Sequence, residues 1–308
     1  MRARSFIAAL LTLAVAPFAT PSVSVAGPAD PGRIVATSFA GDQSAVVSMD
    51  PDGSDLATVL EIPQDWAVGG LDVTEDGSLI AMTLAPGQRG RIYLADPNGS
   101  DFGRLTSGGG DWDSDPSFSP SGDRLVFTRY ERGRSNLYRI LTDGTGLRRL
   151  TSPSEPEADF ATWSPNGQGI VFIDRGRRRE RLIVADRQGQ TFDVIYRAPA
   201  DENLFTTAWS PDGSTIVFAA YDRNYLNAEL WAIAPDGTGR TQLTDSPRAA
   251  EVSPAFSPDG SKIAVSHQSE LTGEYRLLVM NADGMGRDVI EEAGSNIFHV
   301  GWGGTPTT

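Results

Sequence analysis

The stretch "TAWSPDGSTIVFAA", Thr207 to Ala220, decides how this chain is read. Its core, an aromatic residue followed by Ser-Pro-x-Gly, occurs at Phe118–Gly122, Trp163–Gly167, Trp209–Gly213 and Phe256–Gly260, with a worn copy, "VTEDG", at Val73–Gly77. The closing glycines 77, 122, 167, 213 and 260 lie 45, 45, 46 and 47 residues apart. A fixed period of this length means one supersecondary unit repeated along the chain. Within a copy the proline presets φ for the second turn position, and the glycine supplies the positive φ that ends the turn. The β-rich run that follows, such as Ile216–Ala220, is then a strand leaving a tight turn.

Extending one copy in both directions gives the whole unit. From Ser117, "SFSPSGDRLVFTRY" reads as strand, turn, strand. "NLYRILTDGTGLRRLT" adds a third strand around Leu137–Ile140, a hairpin turn at Asp143–Gly146, and a fourth strand over Leu147–Thr151. The hairpin turn recurs at Asp236–Gly239 and Asp283–Gly286. The closing Leu-Thr pair recurs at Leu105-Thr106 and Leu243-Thr244. Four antiparallel strands per repeat describe a propeller blade. At the start, three strands (34–39, 45–50 and 56–60) lack an innermost partner; at the end, "FHVGWGG" (Phe298–Gly304) is an innermost strand with nothing after it. The expectation is an all-β, six-bladed propeller, closed by pairing of the C-terminal strand with the N-terminal three.

Composition narrows the setting. Arg2 and Arg4 precede an apolar run, Phe6–Ala16, and small residues lead to "SVAG". That run is too short to span a bilayer and suits a secretory leader cleaved after Ala26. Residues 1–26 are therefore expected to be a signal peptide and 27–308 a single propeller domain, periplasmic or secreted, without membrane insertion. The formal charge of −14 becomes −16 once Arg2 and Arg4 are removed. That acidity speaks against nucleic acid as a partner. There is no cysteine, which removes disulfides, thiol nucleophiles and thiolate metal sites.

The combination of aromatic-Ser-Pro-Asp-Gly, Asp-Gly-Thr-Gly and Leu-Thr resembles the TolB-like propeller family, with its WD-like repeats, over about Arg33 to Gly304. The resemblance implies an exported, protein-binding propeller whose channel mouth meets partner peptides. The Tol protein's preceding α/β domain has no counterpart in this reading, and neither does the hydrolase domain of peptidases with similar propellers.

Strand order places the repetitive turns on one face and the irregular loops on the other, and binding concentrates on variable loops over a rigid scaffold. On that loop face "GGGDWDSDP" carries Asp111, Asp113 and Asp115, oxygen ligands of the kind that suits Ca²⁺; a solvated acidic loop has the same pattern. Asp115, Asp159, Glu202 and Glu251 stand before innermost strands and are expected to form an acidic channel rim. Trp66, Trp112, Tyr130, Tyr221 and Tyr225 fall in the same loops, as aromatic anchors for a partner or as packing on their own blades. The run "RGRRRER", Arg175–Arg181, is a candidate anion site or a solvated tip.

Only two histidines occur, His267 and His299, so no three-histidine metal site can form. No G-x-S-x-G elbow is present either. His299 shares a position class with Asp115 and is placed near the channel. The reading is a non-catalytic module that binds an envelope protein or peptide. A glycan is the alternative ligand, and a hydrolase or lyase with a channel-mouth site the alternative class.

Overall fold

The computed structural model describes residues 32–151, 157–176, 179–222, 224, 227–269, 272–290 and 296–305; the expected leader and Tyr225 lie outside them. All the regular structure described is β. The strands are β1 (Arg33–Ala40), β2 (Gln43–Met49), β3 (Ala57–Ile62), β4 (Trp66–Val73), β5 (Ile80–Pro86), β6 (Arg91–Ala95), β7 (Gly103–Arg104), β8 (Trp112–Phe118), β9 (Arg124–Glu131), β10 (Arg134–Leu141), β11 (Arg148–Arg149) and β12 (Ala158–Trp163). They continue as β13 (Gly169–Asp174), β14 (Arg181–Asp186), β15 (Phe192–Arg197), β16 (Glu202–Trp209), β17 (Ile216–Asp222), β18 (Ala228–Ile233), β19 (Thr241–Gln242), β20 (Ala249–Phe256), β21 (Lys262–Ser269), β22 (Tyr275–Asn281), β23 (Asp288–Ile290) and β24 (Ile297–Gly303).

Four-stranded antiparallel sheets β4–β7, β8–β11 and β12–β15 follow chain order. The groups β16–β19 and β20–β23 repeat the pattern and are joined by one parallel pairing, Ala228 to Ala250. β24 pairs antiparallel with β1, with Ile34 opposite Trp302, ahead of β2 and β3. The first strands of successive sheets pack side by side in the order β24, β4, β8, β12, β16, β20, and β20 packs again on β24.

Burial along the strands explains their composition. In β9 and β17 five successive residues are buried, because each middle strand is covered on both faces by neighbouring sheets. Such strands read as continuous apolar runs rather than alternating ones. The repeat's aromatic is buried between sheets at Phe118, Trp163, Phe256 and Trp302, and half-buried at Trp209. The turn after it is self-contained: Gly213 N–H donates to Ser210 C=O at 2.9 Å, the Ser210 hydroxyl donates to Asp212 at 2.6 Å, and Asp212 accepts Ser214 N–H at 3.0 Å. Gly213 and Gly260 have φ of 72° and 71°. A Cβ there would also press on Pro165 and Pro211 of the preceding repeat at 3.3 Å, so successive turns stack on one another.

The fourth strand is shorter than the repeat suggested. β7, β11 and β19 have two residues each, and the Leu-Thr pair finishes the edge in another way. Leu105, Leu150 and Leu243 donate N–H groups to the carbonyls of Ile92, Leu137 and Leu230 at 2.8–2.9 Å. The hydroxyls of Thr106, Thr151 and Thr244 then accept the N–H groups of the same three residues at 2.8–3.1 Å. A side-chain oxygen thus takes over from the ladder where the edge strand stops.

Candidate functional site

Each first strand breaks its register once. The shifts fall at Val68/Leu71, Ser114/Ser117, Asp159/Thr162, Phe205/Thr207 and Val252/Ala255, and β1 loses register opposite the same place in β24. These β-bulges carry Asp115, Phe160, Thr206 and Ser253 at φ values of 51°, 52°, 35° and 54°. Non-glycine residues adopt this left-handed conformation at a cost, and it concentrates where a bulge redirects a side chain. The bulge residues Gly70, Asp115, Phe160, Thr206 and Ser253, with His299 of β24, line a cavity of about 260 Å³ running between the first strands. The sheets are tied together there: Ser253 N–H donates to Thr206 Oγ1 at 3.2 Å, Thr207 Oγ1 donates to Phe160 C=O at 2.9 Å, and Phe118 N–H donates to Asp72 at 2.7 Å.

The channel is electrostatically uneven. Burial pushes Asp115 up to about 6; the Ser114 hydroxyl and Arg175 act against the shift, and Asp159 adds to it. Asp72 also rises to about 6 through burial, opposed by its bond from Phe118 N–H. His299 is driven down to about 4 by burial and is neutral at physiological pH. Thr37 Oγ1 accepts His299 N–H at 3.1 Å and lies 3.3 Å from Nδ1.

An acid held above its usual pKa makes the folded state bind its proton more tightly, so this stability is present below about pH 4 and is lost as pH rises through about 6. His299 has the opposite sign, its share being lost as pH falls from 6.5 toward 4. Asp115→Asn removes only the first effect. The variant is expected to melt above the unmodified protein at pH 7.5 by an amount on the order of 1–3 kcal/mol, and near it at pH 4. Thermal denaturation at the two pH values checks this; an equal difference at both would mean that Asp115 is solvated.

Above the channel, on the loop face, aromatic rings form a strip. Phe160 meets Phe205 at 4.5 Å between centroids, Phe205 meets Tyr221 at 5.7 Å, and Tyr275 meets Phe298 at 3.9 Å. Tyr221 is raised to about 12 by burial and by the neighbouring Tyr275. Phe205, Tyr221 and Tyr275 share a second cavity, of about 470 Å³, with Arg175, Glu180 and Gln268. Arg175 stands at its wall: Nε donates to Asp159 at 2.9 Å and Nη1 to Glu180 and to Leu204 C=O at 2.8 Å, with the guanidinium 5.5 Å from the Phe160 ring.

The structure separates the residues that the sequence grouped. Asp113 is fully buried, both oxygens held by Arg129 at 2.6 and 2.8 Å. Asp111 accepts Arg132 N–H at 3.1 Å, and Asp115 faces the channel. The expected calcium triad therefore does not converge, and among the described residues no group of three or more His, Asp or Glu could hold a metal ion. The acidic rim is likewise mostly paired. Asp159 binds Arg175; Glu202 binds Arg240 at 2.8 Å and accepts the Tyr196 hydroxyl at 2.8 Å; Glu251 is fully buried, 3.0 Å from His267 Nδ1.

The aromatics stand at strand ends rather than in loops. Trp66 packs on Tyr93 at 5.9 Å, and Trp112 lies so close to Gly90 that no Cβ would fit there. Tyr130 is 3.4 Å from Asp159 and is raised by burial, while Tyr221 joins the strip. In the arginine run, Arg175 and Arg181 are spoken for by carboxylates, Arg181 by Asp174 at 2.7 Å, and Arg177 and Arg178 lie outside the described residues.

Sequence reasoning missed Phe160, Thr206 and Ser253 in the channel and Phe205, Tyr275 and Phe298 in the strip. The channel residues had a signal: Gly70, Asp115, Phe160, Thr206 and Ser253 each stand 7 residues before a closing glycine of the repeat. The strip had none, since its rings come from four of the four-stranded groups.

Comparison with known proteins agrees with this architecture. A segment of 100 residues is 30% identical to "Tol-Pal system protein TolB" of Francisella tularensis subsp. mediasiatica, covering 32% of this chain and 22% of that protein. The chain thus matches only about a fifth of that relative's length. Among solved structures, TolB from Acinetobacter baumannii superposes with a TM-score of 0.74 at 23% identity, over 89% of this chain and 67% of that one. A putative TolB from Agrobacterium tumefaciens gives 0.67 at 16% identity, over 89% and 99%. At these identities the structural likeness concerns the fold. Residues 20–246 match the family described as "PD40: TolB beta propeller domain", and the chain belongs to that TolB β-propeller family.

Proposed function

We propose that this protein is an exported, non-catalytic binding module that takes a segment of an envelope protein or peptide at its loop-face mouth. In this reading the six four-stranded groups are blades of a closed ring, formed by residues 27–308 once the leader is removed. The observation that carries it is the aromatic cleft of Phe205, Tyr221 and Tyr275, walled by Arg175 and Glu180 and placed over the channel. Aromatic surface with a polar rim is how a rigid scaffold anchors a short segment of another chain. The relatives named as Tol-Pal system proteins support an envelope setting.

The test is capture from envelope extracts by the mature chain beside a Tyr221→Ala/Tyr275→Ala variant. A partner protein retained by the unmodified chain is expected to fall at least tenfold in the variant, with a melting midpoint within a few degrees. Equal capture by both would end the assignment to this cleft. Retention of polysaccharide in place of protein, sensitive to the same substitutions, would make the ligand a glycan.

A further inference from the structure

Many acids on and just below the loop face are met by a basic side chain. Asp113 is paired with Arg129, Asp159 and Glu180 with Arg175, Asp174 with Arg181, and Glu202 with Arg240, while the fully buried Glu251 lies 3.0 Å from His267 Nδ1, an ion pair only when that ring is protonated. Asp115 has no such cation among the described residues: its one hydrogen bond is from the Ser114 hydroxyl to Oδ2 at 2.8 Å. Arg175 comes near enough to be felt, but its Nε and Nη1 donate to Asp159, Glu180 and Leu204 C=O rather than to Asp115. Three carboxylates and one guanidinium thus meet around the mouth, and the carboxylate left over opens on the cavity.

Asp115 also makes no evident contribution to folding. It sits at φ 51° on a bulge, and the same place in other repeats is taken by Gly70, Phe160, Thr206 and Ser253. Asp72, the other acid of the cavity's interior, is by contrast tied to the backbone of the next sheet through Phe118 N–H. An acid held in a left-handed conformation on a cavity wall, half-buried and bonded only to a neighbouring hydroxyl, has the chemistry of a counter-ion for a group that arrives from outside.

The surroundings specify that group. Gly70 beside Asp115 leaves no room for a side chain, since a Cβ there would lie 3.0 Å from Asp115 Oδ1. Phe160, whose ring already carries the Arg175 guanidinium at 5.5 Å, makes the next part of the wall apolar, and Thr206 and Ser253 add hydroxyl-bearing residues farther round. A guanidinium wants a planar, two-oxygen partner, whereas Oδ2 is already shared with Ser114. A compact three-donor cation suits the one carboxylate edge left beside the Ser114 hydroxyl.

We propose that the channel binds a primary ammonium group, with Asp115 as its counter-ion. The group is supplied by the amino terminus or a lysine of the segment seated in the aromatic cleft; in that respect the inference rests on the reading above.

The test measures binding to the mature chain by quenching of tryptophan fluorescence, Trp163 and Trp209 being in the channel wall. Two probe pairs separate the sources: Gly-Phe-Gly amide against its N-acetylated form, and N-acetyl-lysine methylamide against N-acetyl-norleucine methylamide. At least one amine is expected to bind about 10- to 100-fold more tightly than its neutral twin, the range of one charge-assisted hydrogen bond. That advantage should vanish in Asp115→Asn and in Asp115→Ser, the second variant guarding against a folding defect in the first. The amine that binds identifies the source. Equal binding of amine and neutral twin, an advantage that survives both variants, or no binding of either amine overturns the proposal. If partner capture still depends on Tyr221 and Tyr275 while the amine test fails, the cleft stands and only the counter-ion is lost. If an amine binds through Asp115 while capture is indifferent to the cleft, the counter-ion stands and the cleft is lost.

Discussion

Asp113→Ala is expected to remove about 3–5 kcal/mol of stability, large against the roughly 5–15 kcal/mol of a typical folded domain. Both carboxylate oxygens are bonded to Arg129, and the two side chains are 0% and 3% exposed. The guanidinium is further held 5.1 Å from the Tyr138 ring and 5.4 Å from Phe127, so it cannot swing out to water without unpacking the sheet. Removing the acid leaves a buried cation uncompensated, which costs far more than the pair itself contributes. The double replacement Asp113→Leu/Arg129→Met should recover most of the loss, because two apolar groups of similar volume need no partner. Urea denaturation of the three proteins decides it. A loss below about 1 kcal/mol in the single variant would mean that water reaches Arg129, and Asp113 would return as a candidate ligand.

Trp302→Ala should cost a similar amount, about 3–5 kcal/mol, for a different reason. Trp302 is 8% exposed in a cluster with Ile34, Met49, Val279, Ile290 and Val300, which belong to both ends of the chain. It stands opposite Ile34 in the pairing of β24 with β1. The cavity left behind lies where the ends meet, so relaxation of either strand loosens the other. Hydrogen exchange locates the effect: amides of Ile34, Val35 and Ala36 should lose protection first, with those of β13 and β14 last. A uniform loss across all sheets would mean that the junction opens only with global unfolding.

The parts of this protein legible in its sequence are those with a local cause. Ser-Pro-x-Gly makes its turn from its own hydroxyl, carboxylate and glycine φ, all within about five residues, so each copy announces itself. The pairing of the two chain ends was legible because an unpartnered strand at each end leaves one economical solution. The Leu-Thr signal was visible, yet its meaning was not: it closes an edge by side-chain bonds to Ile92, Leu137 and Leu230, residues some fourteen positions earlier, and replaces the fourth strand rather than extending it.

The candidate site was legible only as an address. Asp111, Asp113 and Asp115 look alike in a row, but their partners come from elsewhere: the Arg132 amide, the Arg129 guanidinium, and the channel. Alternation along β8 sends Asp113 into the sheet packing, and the bulge at Asp115 turns the next acid into the cavity. The sequence by itself determined the repeat, its turns and the all-β class, because these follow from bonds between near neighbours. Only the tertiary structure decided which acids pair with arginines and that Asp115 opens on the channel, because charge compensation depends on side chains that neighbouring strands and sheets bring into contact.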